Sequence, residues 1–256
     1  MTIISVKNLS VSYKTTEAVK NAFFDIQKGE SFVIVGRSGS GKSTVANAVM
    51  GLTKIDGGQI TGGSIIYKDT NLLTLPENKK REIRGKSVAM IFQDPQSYLN
   101  PVMKVGKQLA ESFQTHNPKA ANTEVLAKAK ETLKKVGLDE FDRIYNSYPH
   151  QLSGGQKQRI LIAIAIINDP EILIADEPTT GLDAMLQKQI LDLIVQLKNT
   201  LGLTLIMITH NMKVAQKYSD TVAVMHDGEI VEMGKTQEIF ANPRNEYTKL
   251  LISRLF

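Results

Sequence analysis

Three short runs in this chain carry residue types that could do chemistry on a phosphate. The first is "GRSGSGKST", residues 36–44, which fits the spacing G-x-x-x-x-G-K-[ST]. Glycines let a backbone wrap closely around an anion, and the peptide N–H groups at the start of a following helix face its negative charge. On this reading Gly36, Arg37, Ser38, Gly39, Ser40, Gly41, Lys42, Ser43 and Thr44 form the cradle for ATP. Lys42 would reach the β- and γ-phosphates, and the Ser43 hydroxyl would be a ligand of Mg2+.

The second run is "ILIADEP", residues 172–178. An apolar strand that ends in acids puts them at the carboxyl edge of an α/β sheet, where such sheets bind ligands. Asp176 is expected to hold Mg2+ through water, and Glu177 to act as general base on an attacking water. An isolated Asp-Glu pair would read as two solvated acids; the phosphate loop upstream decides against that.

The third run is "LSGGQ", comprising Leu152, Ser153, Gly154, Gly155 and Gln156. Read alone it is a capped helix start with Ser153 as N-cap. The apolar helix "RILIAIAII" behind it should be buried, and a phosphate suits the helix N-terminus. One ATP already has a complete cradle at residues 36–44, so this second loop would serve a phosphate held by another chain. Two copies facing head-to-tail would then sandwich two nucleotides, with ATP holding the dimer and hydrolysis releasing it.

Elements that could position these runs follow from periodicity. Alternation in "IISVKNLSVSY" and "AFFDIQ" predicts β structure, with a turn at Lys28-Gly29. "SFVIVG" predicts a buried strand before a helix over residues 42–50; "GGSIIYKD" and "SVAMIFQ" predict two more strands, the latter ending on Gln93. From Pro95 to Pro149 the pattern turns helical and polar, with Val125, Leu126, Ala129 and Leu133 on an amphipathic face. After LSGGQ, strands "EILIADE", "TLIMITH" and "TVAVMH" alternate with helices, which predicts a parallel sheet with crossover helices. The expected organisation is one domain: a core and β subdomain over residues 1–94 and 160–256, with a helical subdomain inserted at 95–159.

Composition narrows the class. The 256 residues are 42% hydrophobic and 22% charged, ordinary globular values, with no uninterrupted apolar run long enough to span a bilayer. The first ten residues lack the pattern of a signal peptide. With no cysteine there are no disulfides, thiolate metal sites or iron–sulfur clusters in the chain, and the cytoplasm is the expected compartment. The net charge of +5 reads as a solvated surface with excess lysine rather than as a nucleic-acid face.

Taken in order, "GRSGSGKST", "QDPQS", "LSGGQKQR", "ILIADEPTTGLD" and the "TH" at 209–210 resemble the ATP-binding subunits of ABC transporters over nearly the whole chain. The resemblance implies the ABC ATPase fold: an α/β P-loop NTPase core with a parallel sheet, an N-terminal antiparallel β subdomain and an inserted α-helical subdomain. It also implies further roles. Tyr13 would stack on adenine. Gln93 would sense Mg2+ and the γ-phosphate and relay to the membrane partner. Ser153 and Gly155 would contact the γ-phosphate across the dimer, Asp183 would order the two sites, and His210 would clamp the γ-phosphate and orient the water.

The segments "IFQDPQSYLNPVMKVGKQLAES", "YPHQLSGGQKQR" and the C-terminal "RNEYTKLL" are more closely similar to importers of the oligopeptide, dipeptide and nickel group. Gln156 and Gly181 depart from that group's usual Met and Ala, away from the chemistry. The implied partners are two integral membrane permeases, a second ATPase subunit (self or paralogue) and, indirectly, an extracytoplasmic solute-binding protein. No nucleic-acid partner is implied, and the implied location is the cytoplasmic face of the membrane. Tyr98, Leu99 and Pro101 are expected either to pack under the helical block or to receive a short permease helix. The short cysteine-free C-terminus resembles the nickel or metallophore members and leans the cargo towards metal chelates over peptides. The alternative is a soluble ABC ATPase acting on nucleic acid or ribosomes. Against it, the chain lacks a long inserted coiled coil, a second such domain and zinc-binding cysteines. A GTPase or kinase would leave LSGGQ unexplained and would lack an N-K-x-D signature.

Overall fold

The computed structural model describes residues 1–93 and 98–254. All of the QDPQS motif except Gln93 therefore lies outside the described residues. In chain order the elements are β1 (Thr2–Tyr13), β2 (Thr16–Gln27), β3 (Ser31–Val35), α1 (Lys42–Val49), β4 (Gln59–Tyr67), β5 (Thr70–Asn71), α2 (Glu77–Ile83), β6 (Val88–Ile91), α3 (Val105–His116), α4 (Asn122–Lys135), α5 (Phe141–Asn146), α6 (Gly154–Ile166), β7 (Ile172–Asp176), α7 (Ala184–Leu201), β8 (Thr204–Thr209), α8 (Met212–Tyr218), β9 (Thr221–His226), β10 (Glu229–Lys235), α9 (Thr236–Ala241) and α10 (Glu246–Ser253). They divide into two units, Met1–Lys80 with Thr204–Phe256, and Arg81–Leu203.

In the first unit, β1 and β2 form an antiparallel hairpin, with β4 on the other side of β1 and β5 beyond it. The buried face of β2 runs Val19, Ala22, Phe24, Ile26. Its phase shifts between Val19 and Ala22, where Asn21 takes φ 49° and donates its peptide N–H to Ser10 Oγ at 3.1 Å. Asn adopts this left-handed backbone more readily than most residues, so it can carry the irregularity. β3 lies between β8 and β9, parallel to both, and β10 returns antiparallel to β9. β3 and β8 are buried along their whole length, which is why they read as unbroken apolar runs rather than alternating ones. Phe24 stacks on Phe32 at 5.1 Å and joins the antiparallel sheet to the parallel strands. Burying an aromatic of this size contributes roughly 1.5–3 kcal/mol.

In the second unit, β6 and β7 run parallel from Val88 and Ile172 to Ile91 and Ala175. The strand expected to reach Gln93 stops at Ile91. Phe92 leaves the sheet to stack on Tyr98 at 4.0 Å, and Gln93 sits exposed in the bend beyond it. The strands expected through Glu177 and His210 likewise stop at Asp176 and Thr209. In α4 the buried face is Val125, Ala129, Thr132 and Leu133, while Leu126 is exposed; one residue past Val125 is a rotation of ~100° off that face. Helix α6 buries Ile160, Leu161, Ile162, Ala163, Ala165 and Ile166, as a helix apolar on all sides must. Leu99 is only 2% exposed, so packing wins there, whereas Tyr98 at 51% and Val102 at 83% face solvent.

Candidate functional site

The first unit supplies the glycine-rich loop. It leaves the buried end of β3 at Val35 and enters α1 through Gly41, whose φ of 100° only glycine adopts without strain. No side chain caps the start of α1, and the N-terminus of a helix is where anions bind elsewhere. Backbone atoms support the loop from behind. A Cβ on Gly36 would lie 2.1 Å from the Met225 carbonyl oxygen, and one on Gly41 would lie 2.2 Å from that of Ala18. Gly228, in the turn between β9 and β10, donates its N–H to the Ser40 carbonyl at 3.1 Å.

Inside the loop, Lys42 is 4% exposed and its Nζ donates to the carbonyls of Gly36 at 2.9 Å and Arg37 at 2.8 Å. The Ser40 Oγ is buried and has no hydrogen-bond partner among the described residues. A buried unsatisfied hydroxyl is costly, and an incoming anion oxygen would satisfy it. Arg37, Ser38, Gly39 and Ser43 are exposed, with Thr44 half-buried. Tyr13 ends β1 half-buried, its ring so close to Gly58 that a Cβ there would lie 2.9 Å from it. His210 is exposed directly after β8, and Asn211 behind it caps α8 by accepting from Lys213 N at 2.9 Å.

The second unit supplies the acids and the other glycine loop. Asp176 ends β7 at 6% exposure. Glu177 follows with φ 43°, a backbone rare for non-glycine residues and costly enough to need support. Its carboxylate Oε2 accepts from Gln93 Nε2 at 3.4 Å and from Thr180 Oγ1 at 3.0 Å. Asp183 caps α7, accepting from the backbone N–H groups of Met185 and Leu186, both at 3.0 Å.

Ser153 and Gln156 form a reciprocal capping box on α6, Gln156 N donating to Ser153 Oγ at 3.3 Å and Ser153 N to Gln156 Oε1 at 3.1 Å. Leu152 is buried beside it, and Gly154 is open. Gly155 faces Leu186, whose Cδ1 would lie 2.8 Å from any Cβ there. The structure thus brings Gln93 to Glu177, and LSGGQ to the helix that Asp183 starts. Sequence reasoning missed Thr180 and Leu186; the usable signal for Thr180 was a hydroxyl three residues after an acid at a strand end. No group of three or more His, Asp or Glu among the described residues could hold a metal by itself.

A glycine-rich loop between a buried parallel strand and a helix, together with an acidic pair ending a second buried strand, defines a P-loop nucleotide hydrolase. The ABC transporter family model matches residues 19–180, and the chain belongs to that family. It is 43% identical to the dipeptide transport ATP-binding protein DppD of Lactococcus lactis subsp. cremoris over 96% of this chain and 71% of that one. It is 41% identical to the oligopeptide transport ATP-binding protein OppD of Bacillus subtilis, over 99% of this chain and 72% of the relative. Among solved structures, the ATP-binding cassette MJ0796, a dimer in a post-hydrolysis state with ADP and Pi, superposes with a TM-score of 0.80 at 31% identity, over 91% of this chain and 98% of that one. The fold is therefore that of an ABC ATPase, and the chain is the ATP-binding, ATP-hydrolysing subunit of an ABC importer. No helix among the described residues is long and apolar enough to cross a membrane.

Proposed function

We propose that this subunit powers uptake of short peptides, working at the cytoplasmic face of the membrane with two permeases and a second ATPase subunit. The observation that carries the cargo is the identity of 43% to dipeptide and oligopeptide ATP-binding subunits over nearly the whole chain. The lean towards metal chelates rested on where the chain ends, which is no evidence, and peptides replace it.

Each site residue has a role in this reading. Residues 36–44 hold the ATP phosphates, with Lys42 exchanging its loop carbonyls for phosphate oxygens, and Tyr13 stacks on the base. Glu177 takes the proton of the attacking water, Gln93 orients that carboxylate, and His210 contacts the γ-phosphate. Leu152 to Gln156 and Asp183 serve the nucleotide of the facing subunit. Mg2+ fits the donors present: with no protein cage it would be held by Ser43, Asp176 and Gln93 together with phosphate oxygens, as this cation commonly is. When bound it would neutralise charge on the phosphates. The helical subdomain over residues 95–159 carries the permease contact, with Tyr98 and Val102 offering exposed apolar surface.

Deleting the gene tests the cargo. Growth on di- and oligopeptides as sole amino-acid source should be lost while cell nickel, cobalt and zinc stay constant. Retained peptide use with depleted metal would reverse the assignment.

A further inference from the structure

The C-terminal segment reaches the phosphate loop. The Arg37 peptide N–H donates to the hydroxyl of Tyr247 in α10 at 3.3 Å, across 210 residues of sequence. The Tyr247 ring is itself held, stacked on His226 at the end of β9 at 3.8 Å and 12°. Its backbone is held too, since Asn245 starts α10 by accepting from Tyr247 N at 2.8 Å. The chain next to His226 supports the loop as well: the Met225 carbonyl backs Gly36, and Gly228 donates to Ser40.

The Arg37 peptide is therefore gripped on both sides, its N–H by Tyr247 and its carbonyl by Lys42 Nζ at 2.8 Å and by the Ser40 N–H at 3.2 Å. A lysine that turns its ammonium to phosphate gives up that carbonyl. The carbonyl then keeps the Ser40 N–H, a bond within the loop, while the Tyr247 hydroxyl holds the same peptide from outside the loop. We propose that Tyr247 is a positioning residue for the phosphate loop: it fixes the Arg37 peptide in the shape that receives nucleotide, and so sets ATP affinity without touching the reacting atoms. This rests on the reading of residues 36–44 as the ATP site.

The test uses the full chain, titrated with a fluorescent ATP analogue and assayed for ATPase. Tyr247→Phe removes only the hydroxyl and leaves the ring stack. A neutral hydrogen bond of this kind corresponds to about threefold to tenfold in affinity. Kd and the KM for ATP should rise by that factor, with kcat within twofold and the melting temperature unchanged. His226→Phe, which keeps a ring against Tyr247, should bind like wild type, whereas His226→Ala should fall towards Tyr247→Phe. Lys42→Ala separates the two ideas. If it binds normally, the ATP site itself has been misplaced. If it loses binding while Tyr247→Phe titrates like wild type, the positioning role is wrong. A melting temperature that falls in step with affinity in Tyr247→Phe would show a merely structural contact and would also overturn it.

Discussion

The side-chain amide of Gln93 donates to the Glu177 carboxylate at 3.4 Å, and the Thr180 hydroxyl donates to the same oxygen at 3.0 Å. Two donors on one oxygen hold the carboxylate in place.

Glu177→Gln keeps the shape and removes the basic oxygen. Turnover should fall about 10²–10⁴-fold, the usual cost of losing a general base, with nucleotide binding retained. Steady-state ATPase and analogue titration read the two separately. Hydrolysis within a few-fold of wild type would remove Glu177 from the reaction.

Ser153 has two tasks that substitutions can separate. Ser153→Ala removes the N-cap hydroxyl of α6 and should cost about 1 kcal/mol in urea unfolding. Ser153→Arg adds bulk and charge where the facing subunit's phosphate is expected. It should abolish hydrolysis while monomer affinity for ATP stays close to wild type. Monomer binding as poor as that of Lys42→Ala would count against a site shared by two chains.

Gly155 and Leu186 pack directly, with 2.8 Å between Leu186 Cδ1 and the place of a Cβ on residue 155. Gly155→Val should overpack this contact and cost about 1–3 kcal/mol. Adding Leu186→Ala should recover part of the loss in a double-mutant cycle. Strictly additive losses would mean that the strain lies elsewhere.

Glu232 ties down the segment that leads into α10. Its carboxylate accepts the backbone N–H of Arg244 at 2.8 Å and of Asn245 at 3.1 Å. Burial works to raise its pKa, but the Thr248 hydroxyl, those two backbone N–H groups and the Arg244 charge together outweigh it and hold the carboxyl below the ordinary glutamate value. A folded-state pKa below the unfolded one stabilises the protein above the usual range, about 4.3. That contribution fades as pH falls through the lowered folded value. Wild type should therefore exceed Glu232→Gln in urea midpoint at pH 7, and the gap should close below about pH 4. An equal gap at pH 7 and pH 3.5 would rule out this linkage.

Much of this was legible because glycine spacing and strand burial are local properties. Residues 36–44 must turn where Gly41 stands, and β3, β7 and β8 announce themselves as short apolar runs. Strand ends were less legible: β6 stops at Ile91 because Phe92 prefers the Tyr98 ring, a preference no alternation encodes. Leu126 and Leu99 look alike in sequence, and only the packing of the helices exposes one and buries the other. The Tyr247 contact with Arg37 was out of reach, since a single hydrogen bond between distant segments leaves no periodic trace.

The phosphate loop rests on main-chain atoms: the carbonyls of Ala18 and Met225, and the N–H of Gly228. Any residue that keeps the strand offers the same carbonyl. In a saturation mutagenesis screen, positions 18 and 225 should accept many strand-compatible side chains, while 36 and 41 should accept almost none. Gly228, at φ 87°, should side with the intolerant pair. Apart from the Tyr247 hydroxyl on Arg37, the loop's shape is thus insulated from drift in the side chains of the strands behind it, so related ATPases could diverge freely there and still bind nucleotide in the same way.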